Sequence, residues 1–135
     1  MEEITLDGIG GRYIALRRSV EPVRQDVWEF YAELKLPGVQ AETLVYESGF
    51  SLQAYFRDLA DSWRGFDGVK EYVALEGQME IASKHDRKGT IVSVVVLRKP
   101  EPPEWRLEAV FEFGAGAHMD GLARDIERFM SAPSS

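Results

Sequence analysis

Carboxylates at alternate positions of two strand-like segments are the first residues that could do chemistry. Glu29 and Glu33 occupy one segment, and Glu108 and Glu112 occupy the other, so each pair would share one strand face. If the two strands were neighbours, one carboxyl group could act as a general acid and another as a base. That chemistry needs a cleft that changes the proton affinity of one group, and the sequence indicates none. We therefore predict no catalytic residue.

The two histidines, His85 and His118, are the next candidates. A metal site needs three or four ligands with recognisable spacing, and no such spacing surrounds either histidine. The chain contains no cysteine, which excludes disulfides, thiolate metal sites and cysteine nucleophiles. The glycine-rich segment 8–11 lacks the lysine of a phosphate loop and precedes strand residues, so it predicts a hairpin turn. We expect no metal, no cofactor and no enzymatic activity.

A strand pattern that occurs twice must position the carboxylates. Apolar residues alternate with polar ones from Val27 to Leu36, and the same order returns from Trp105 to Phe113. The segments that precede them, 14–18 and 95–99, are also alike. We infer two related β-β-β-α halves. Coincidence between common strand residues stays open as the alternative.

Two segments have the spacing of amphipathic helices. Ser51 is placed to cap the first, whose apolar stripe covers residues 52–63 while Arg57 faces water. The second stripe covers residues 119–130, where Gly121 costs about 1 kcal/mol relative to alanine.

Consecutive strands with two amphipathic helices predict an α+β fold. We expect a single antiparallel sheet with both helices packed on one face. The α+β domain would span residues 1–130, and the Pro- and Ser-containing residues 131–135 predict a disordered tail.

The outer face of this sheet is the candidate binding surface. It would carry Glu29, Tyr31 and Glu33 from one strand, and Arg106 and Glu108 from the other. An aromatic side chain among charges is a common composition at protein interfaces. The two interpretations are a solvated surface and a surface that binds a partner.

An aromatic motif, Trp63-Arg64-Gly65-Phe66-Asp67-Gly68, follows the first helix. It predicts a helix stop and a turn, with two aromatic side chains closing the end of the core. Arg64 could pair with Glu76. The alternative is a loop that contacts a ligand, and Arg64 is therefore the sixth candidate binding residue.

The composition narrows the range of partners. The chain has 135 residues and a formal net charge of −7, so it should not attract nucleic acid or anionic lipid. The first residues are acidic, unlike a secretory signal, and the longest apolar run, 91–97, is too short to cross a membrane. We expect a cytoplasmic protein whose partner, if any, is another protein. The oligomeric state stays open, including a dimer formed through a strand edge.

The aromatic motif, followed by Leu75-Glu76-Gly77, resembles a family of small bacterial proteins of unknown function that is frequent in actinobacteria. Further matching positions between residues 54 and 129 are Phe56, Leu59-Ala60, Asp86, Gly89, Leu97-Arg98 and Trp105. Phe66 and Tyr72 stand where the family usually has tryptophan, which favours packing over recognition by an indole ring. The resemblance implies a small bacterial protein and carries no established activity.

Two functional hypotheses follow. The first is a non-enzymatic protein-binding module, most concretely a toxin-neutralising immunity protein, because negative charge speeds association with a basic toxin. The second is a small-molecule-binding or enzymatic α+β domain, with a ligand between sheet and helices near Trp63, Arg64 and Tyr72. The second hypothesis requires a cavity at that place.

Overall fold

Segments in which apolar and polar residues alternate form strands, and segments whose apolar residues have helical spacing form helices. The computed structural model describes residues 3–19, 27–49 and 51–131. Their elements in chain order are β1 (Glu3–Asp7), β2 (Tyr13–Arg18), β3 (Val27–Leu36), β4 (Val39–Ser48), α1 (Ser51–Asp61), β5 (Lys70–Val73), β6 (Met79–His85), β7 (Thr90–Lys99), β8 (Trp105–Gly114) and α2 (Ala117–Ser131). The last helix includes Ser131, and residues 132–135 of the predicted tail lie outside the described residues.

The strands form two antiparallel sheets with the orders β1-β2-β3-β4 and β5-β6-β7-β8. A short turn at Gly38, where φ is +79°, joins β3 and β4. After β4 the chain leaves the sheet to form α1, and β5 then begins a second sheet by pairing with β6. The fold is α+β as predicted, but the prediction of a single sheet is wrong. Each half contains four strands and a helix instead of three strands and a helix.

The sequence repeat does not coincide with these structural halves. The strand that begins near Trp28 is β3, the third of its half, whereas the strand that begins at Trp105 is β8, the fourth of its half. The similar sequences therefore belong to strands with different places in the two sheets. Both strands alternate more buried with more exposed residues, which is the pattern of a half-buried strand.

One hydrophobic core joins both sheets and both helices. The inward residues of β3 and β8 are buried in it as predicted, among them Phe30, Leu34, Phe111 and Phe113. The buried stripes of α1 and α2 belong to the same cluster. The buried stripes of both helices and the inward faces of both sheets therefore share one core.

The first turn of α1 differs from the prediction. The hydroxyl group of Ser51 donates a hydrogen bond of 2.7 Å to the carbonyl oxygen of Ser48. The amide of Leu52 instead donates to the carboxylate of Glu47, at 3.1 Å. Glu47 in β4 therefore satisfies a free amide at the start of the helix, a role that the sequence assigned to Ser51.

The end of α1 also departs from the predicted stripe. Five residues of the stripe are buried, but Trp63 is 49% exposed because the helix ends at Asp61. Phe66 alone of the two aromatic residues packs against the core. The prediction that Trp63 helps to close the core is therefore wrong.

Arg57 on α1 connects the helices. Its guanidinium group lies 2.8 Å from Asp120 and 2.9 Å from Glu127, both on α2. This side chain is half-buried between the helices, which corrects the prediction that it simply faces water.

Neither described helix has the length and apolarity that a membrane span requires.

Polar contacts link the two sheets outside the core. The amide of Ile9 donates to the carbonyl oxygen of Glu112, and the amide of Leu75 donates to that of Tyr46, each at 2.8 Å. His118 accepts a hydrogen bond from the amide of Gly114 at Nδ1, and its Nε2 lies 2.8 Å from the carbonyl oxygen of Asp7. These contacts fix the relative position of the sheets.

Candidate functional site

A cavity of about 270 Å³ opens on the outer face of the first sheet. Its walls come from three parts of the chain: β3 and β4, the start of β6, and the segment that leaves β7. The lining residues are Tyr31, Glu42, Thr43, Leu44, Tyr46, Gln78, Lys99, Pro100 and Glu101. The cavity therefore lies where the first sheet meets the second.

The register of β2, β3 and β4 positions the tyrosines. Tyr31 lies between Arg17 on β2 and Leu44 on β4, while Glu29 lies opposite Tyr46. Because side chains two residues apart in a strand share a face, Leu44 and Tyr46 point outward and Val45 and Glu47 point inward. The two tyrosines are thus diagonal neighbours on the outer face.

Arg17 is held against the first tyrosine. Its guanidinium carbon lies 4.3 Å from the centre of the Tyr31 ring, within the range of a cation–π contact. The same guanidinium group lies 3.0 Å from the carboxylate of Glu42. An aromatic ring and a carboxylate together hold a cation at this end of the surface.

The second tyrosine has acidic surroundings. Burial raises the pKa of the Tyr46 phenol, and the negative charges of Glu29, Glu76 and Glu101 raise it further. Among the described residues the Tyr46 side chain has no hydrogen-bond, ring or cation partner. A neutral phenol in a negative environment is therefore presented to the cavity.

Three of the predicted binding residues share this face. Tyr31 lines the cavity, Glu29 faces Tyr46 across the strands, and Glu33 accepts a hydrogen bond from Gln40 farther along the sheet. Ser19 donates a hydrogen bond of 3.3 Å to Glu29.

The other three predicted residues lie elsewhere. Arg106 and Glu108 form an ion pair of 2.8 Å on β8, which belongs to the second sheet and has no hydrogen-bonded ladder with β3. Arg64 follows α1 and places its guanidinium carbon 5.0 Å from the centre of the Trp63 ring. The expected six-residue surface is therefore divided among three places.

The sequence matches a family of unknown function, DUF6228, over residues 8–133. The chain belongs to this family. The match covers nearly the whole chain and is consistent with the expectation of a family of unknown function. No curated protein and no solved structure matches it.

The site in this DUF6228 chain includes residues that the sequence analysis missed. Tyr46, Gln78, Lys99 and Glu101 line the cavity but come from separate strands and loops. The alternation in β4 places Leu44 and Tyr46 on one face of the strand, and this pattern could have identified Tyr46 as a residue of the outer face. The residues around Gln78 and Glu101 in the sequence contain no pattern that predicts their position beside β4.

A second concavity lies between the end of α1 and the start of α2. This groove, of about 750 Å³, is lined by Ala60, Asp61, Trp63, Gly116, Ala117 and Asp120. Tyr72, which the second hypothesis placed beside Trp63, is instead buried in the core. The groove is therefore a surface feature between helix ends.

A buried carboxylate links the two halves beneath the site. Glu47 is only 1% exposed, and the Tyr72 hydroxyl group donates a hydrogen bond of 2.8 Å to its Oε1. Its Oε2 is buried and has no partner among the described residues. Burial raises the pKa of Glu47, while the hydrogen bonds from Tyr72 and from backbone amides oppose that shift.

The histidines are used in backbone contacts. His85 accepts a hydrogen bond from the amide of Arg87 at Nδ1, and its Nε2 lies 2.8 Å from the carbonyl oxygen of Trp63. His118 makes the two contacts that connect β8 with β1. Within residues 3–19, 27–49 and 51–131, no group of three or more side chains is arranged to hold a metal ion.

Proposed function

We propose that this DUF6228 protein is a non-enzymatic protein-binding module that uses the outer face of its first sheet. The cavity between Tyr31 and Tyr46 carries the proposal, because it lies on the face where the sequence placed Glu29, Tyr31 and Glu33. Tyrosine combines a large apolar surface with a polar group, and it is enriched at protein interfaces. The bacterial origin and cytoplasmic location implied by the sequence belong to the same proposal.

A toxin-neutralising immunity protein is the most concrete form of this function. The net charge of −7 supports it, because a negative surface accelerates encounter with a basic toxin or nuclease. The acidic surroundings of Tyr46 place part of that charge at the cavity.

The test is capture of a partner by the tagged protein from a lysate of its own host, followed by mass spectrometry. Glu29→Lys should abolish capture, because it places a positive charge opposite Tyr46. Glu108→Lys makes the same charge change on β8 and is the matched control, which should retain the partner. Loss with Glu108→Lys and retention with Glu29→Lys would place the interface on the second sheet and contradict the proposal.

The immunity role has its own readout. Expression of the captured partner alone should arrest growth, and co-expression of this chain should restore it. Restoration should fail with Glu29→Lys. A partner that is harmless when expressed alone would remove the immunity role and leave the binding module.

A small-molecule-binding domain is the second candidate, favoured by the groove between the helix ends. Its volume of about 750 Å³ lies within the range of small-molecule sites, roughly 300 to 1,000 Å³. A metabolite screen by thermal shift tests this function. A stabilising compound should lose its effect with Trp63→Ala and keep it with Tyr46→Ala.

A further inference from the structure

The outer face of the first sheet contains two neighbouring rows of cross-strand residues that are alike in part. The first row consists of Arg17, Tyr31 and Leu44. Arg17 stacks on Tyr31 and also reaches the carboxylate of Glu42, two residues from Leu44 on β4. In the second row the residues are Ser19, Glu29 and Tyr46. The second row therefore has a tyrosine and a carboxylate, but a serine stands where the first row has its arginine.

Negative charge is concentrated at the second row. Glu29 lies opposite Tyr46 and Glu101 lines the cavity, and the charges of Glu29, Glu76 and Glu101 raise the pKa of Tyr46. Among the described residues Glu101 has no ion-pair or hydrogen-bond partner. The Tyr46 ring likewise has no cation over it, in contrast to the Tyr31 ring.

The size of the cavity limits what can fill it. About 270 Å³ is slightly below the range of drug-sized ligand sites, so it suits a single side chain. A guanidinium group is planar, stacks on aromatic rings and pairs with carboxylates, which is what Arg17 does in the adjacent row.

We propose that an arginine side chain of a protein partner enters this cavity, stacks on Tyr46 and pairs with the carboxylates of Glu29 and Glu101. This inference rests on the proposed protein-binding function and names the chemistry of the partner at that site. The partner's arginine completes the second row as Arg17 completes the first.

Lys99 places a positive charge at the cavity, and this charge opposes binding of an arginine side chain. It lines the same cavity and, like Glu101, has no ion-pair partner among the described residues. Its ammonium group repels an entering guanidinium group. Lys99→Gln should therefore strengthen binding of the arginine by about two- to threefold.

The probe for the test is N-acetyl-arginine amide, and its control is N-acetyl-citrulline amide, which has nearly the same shape without the charge. Each is titrated into the whole protein while the tyrosine ring signals are followed by NMR. The arginine probe should shift the Tyr46 signals with a dissociation constant of about 1 mM, which corresponds to a binding free energy of about 4 kcal/mol in magnitude. Citrulline should leave them unchanged.

Conservative variants test the assigned residues. Glu29→Gln combined with Glu101→Gln should weaken the arginine probe about fivefold or more, because both carboxylates lose their charge. Glu33→Gln removes a charge on the same face, but Glu33 lies opposite Glu42 instead of Tyr46, so this variant should have no effect. The dispersion of the NMR spectrum shows whether each variant is folded.

Equal shifts with arginine and citrulline, or no shift at Tyr46, would overturn the arginine inference. If capture of the partner still depends on Glu29, the binding face stands and only its chemistry is wrong. If arginine binds as expected but no partner is captured, the site chemistry stands and the proposed function fails.

Discussion

Glu47 is the residue whose chemistry is most altered by the fold. Its carboxyl group lies in the core, where Tyr72 and Leu52 donate to one oxygen and the other oxygen has no described partner. Because burial raises the pKa of Glu47 in the folded state, the protonated form is the one that the fold favours. Its contribution to stability is complete below the unfolded pKa, about 4.3, and is lost as pH rises through the folded pKa.

The corresponding prediction concerns Glu47→Gln. This variant should lack the loss of stability that ionisation of Glu47 causes, so its free energy of unfolding relative to the native chain should increase from pH 4 to pH 7. Urea unfolding at a series of pH values measures the difference. Glu71→Gln, which makes the same substitution at an exposed position of β5, is the control for the loss of one negative charge. A flat difference for Glu47→Gln would show that burial does not disturb this carboxyl group.

The hydroxyl group of Tyr72 supports the same carboxylate. Tyr72→Phe should lower the free energy of unfolding by about 1 to 3 kcal/mol, because it leaves Glu47 with one donor fewer in the core. Combined with Glu47→Leu, which removes the acceptor, the loss should be smaller than the sum of the single losses. Thermal or urea unfolding of the four chains completes this double-mutant cycle, and additive losses would contradict a direct interaction.

At the scale of elements, Arg57 connects the two helices. It lowers the pKa of Asp120 and of Glu127 through hydrogen bonds to both carboxylates. A carboxyl group with a lowered folded pKa stabilises the fold above its unfolded pKa and loses that contribution as pH falls through the folded pKa.

Arg57→Ala should therefore destabilise the protein near pH 7 by about 1 kcal/mol, and the effect should diminish as the solution is acidified. Arg124→Ala is the matched control, since among the described residues the one ion pair of Arg124 is with Asp120, at 3.0 Å, on its own helix. Chemical unfolding at neutral and acidic pH checks both variants. An equal loss for the two arginines would show that the contact between helices adds nothing.

The strand faces could be predicted from the sequence because each strand buries one face, and alternation reports that directly. Phe30 and Leu34 were assigned inward, and Glu29 and Tyr31 outward, without knowledge of their neighbours. The number of sheets could not be predicted, because it depends on whether β5 pairs with β4 or begins a new sheet after α1. The cavity could not be predicted either, because Tyr31, Gln78 and Glu101 are brought together only by tertiary contacts.

At the scale of the whole molecule, two sheets share one core. Leu34 from the first sheet and Ile91 from the second belong to the same buried cluster. A shared core predicts one cooperative unfolding transition instead of separate melting of two halves.

Leu34→Ala and Ile91→Ala should each lower the free energy of unfolding by about 2 to 5 kcal/mol. Each should shift the entire transition, whether it is followed by tryptophan fluorescence or by far-ultraviolet circular dichroism. Two separate transitions, or a shift in one probe alone, would contradict the shared core.

The position of Glu47 also has a consequence during synthesis of the chain. The ribosome completes β4 and α1 before β5, so Glu47 initially lies in a half-protein in which Tyr72 does not yet exist. Arrival of β5 brings the Tyr72 hydroxyl group to Glu47, and burial in the complete core raises the pKa of this carboxyl group, so the joining of the two halves increases its affinity for a proton.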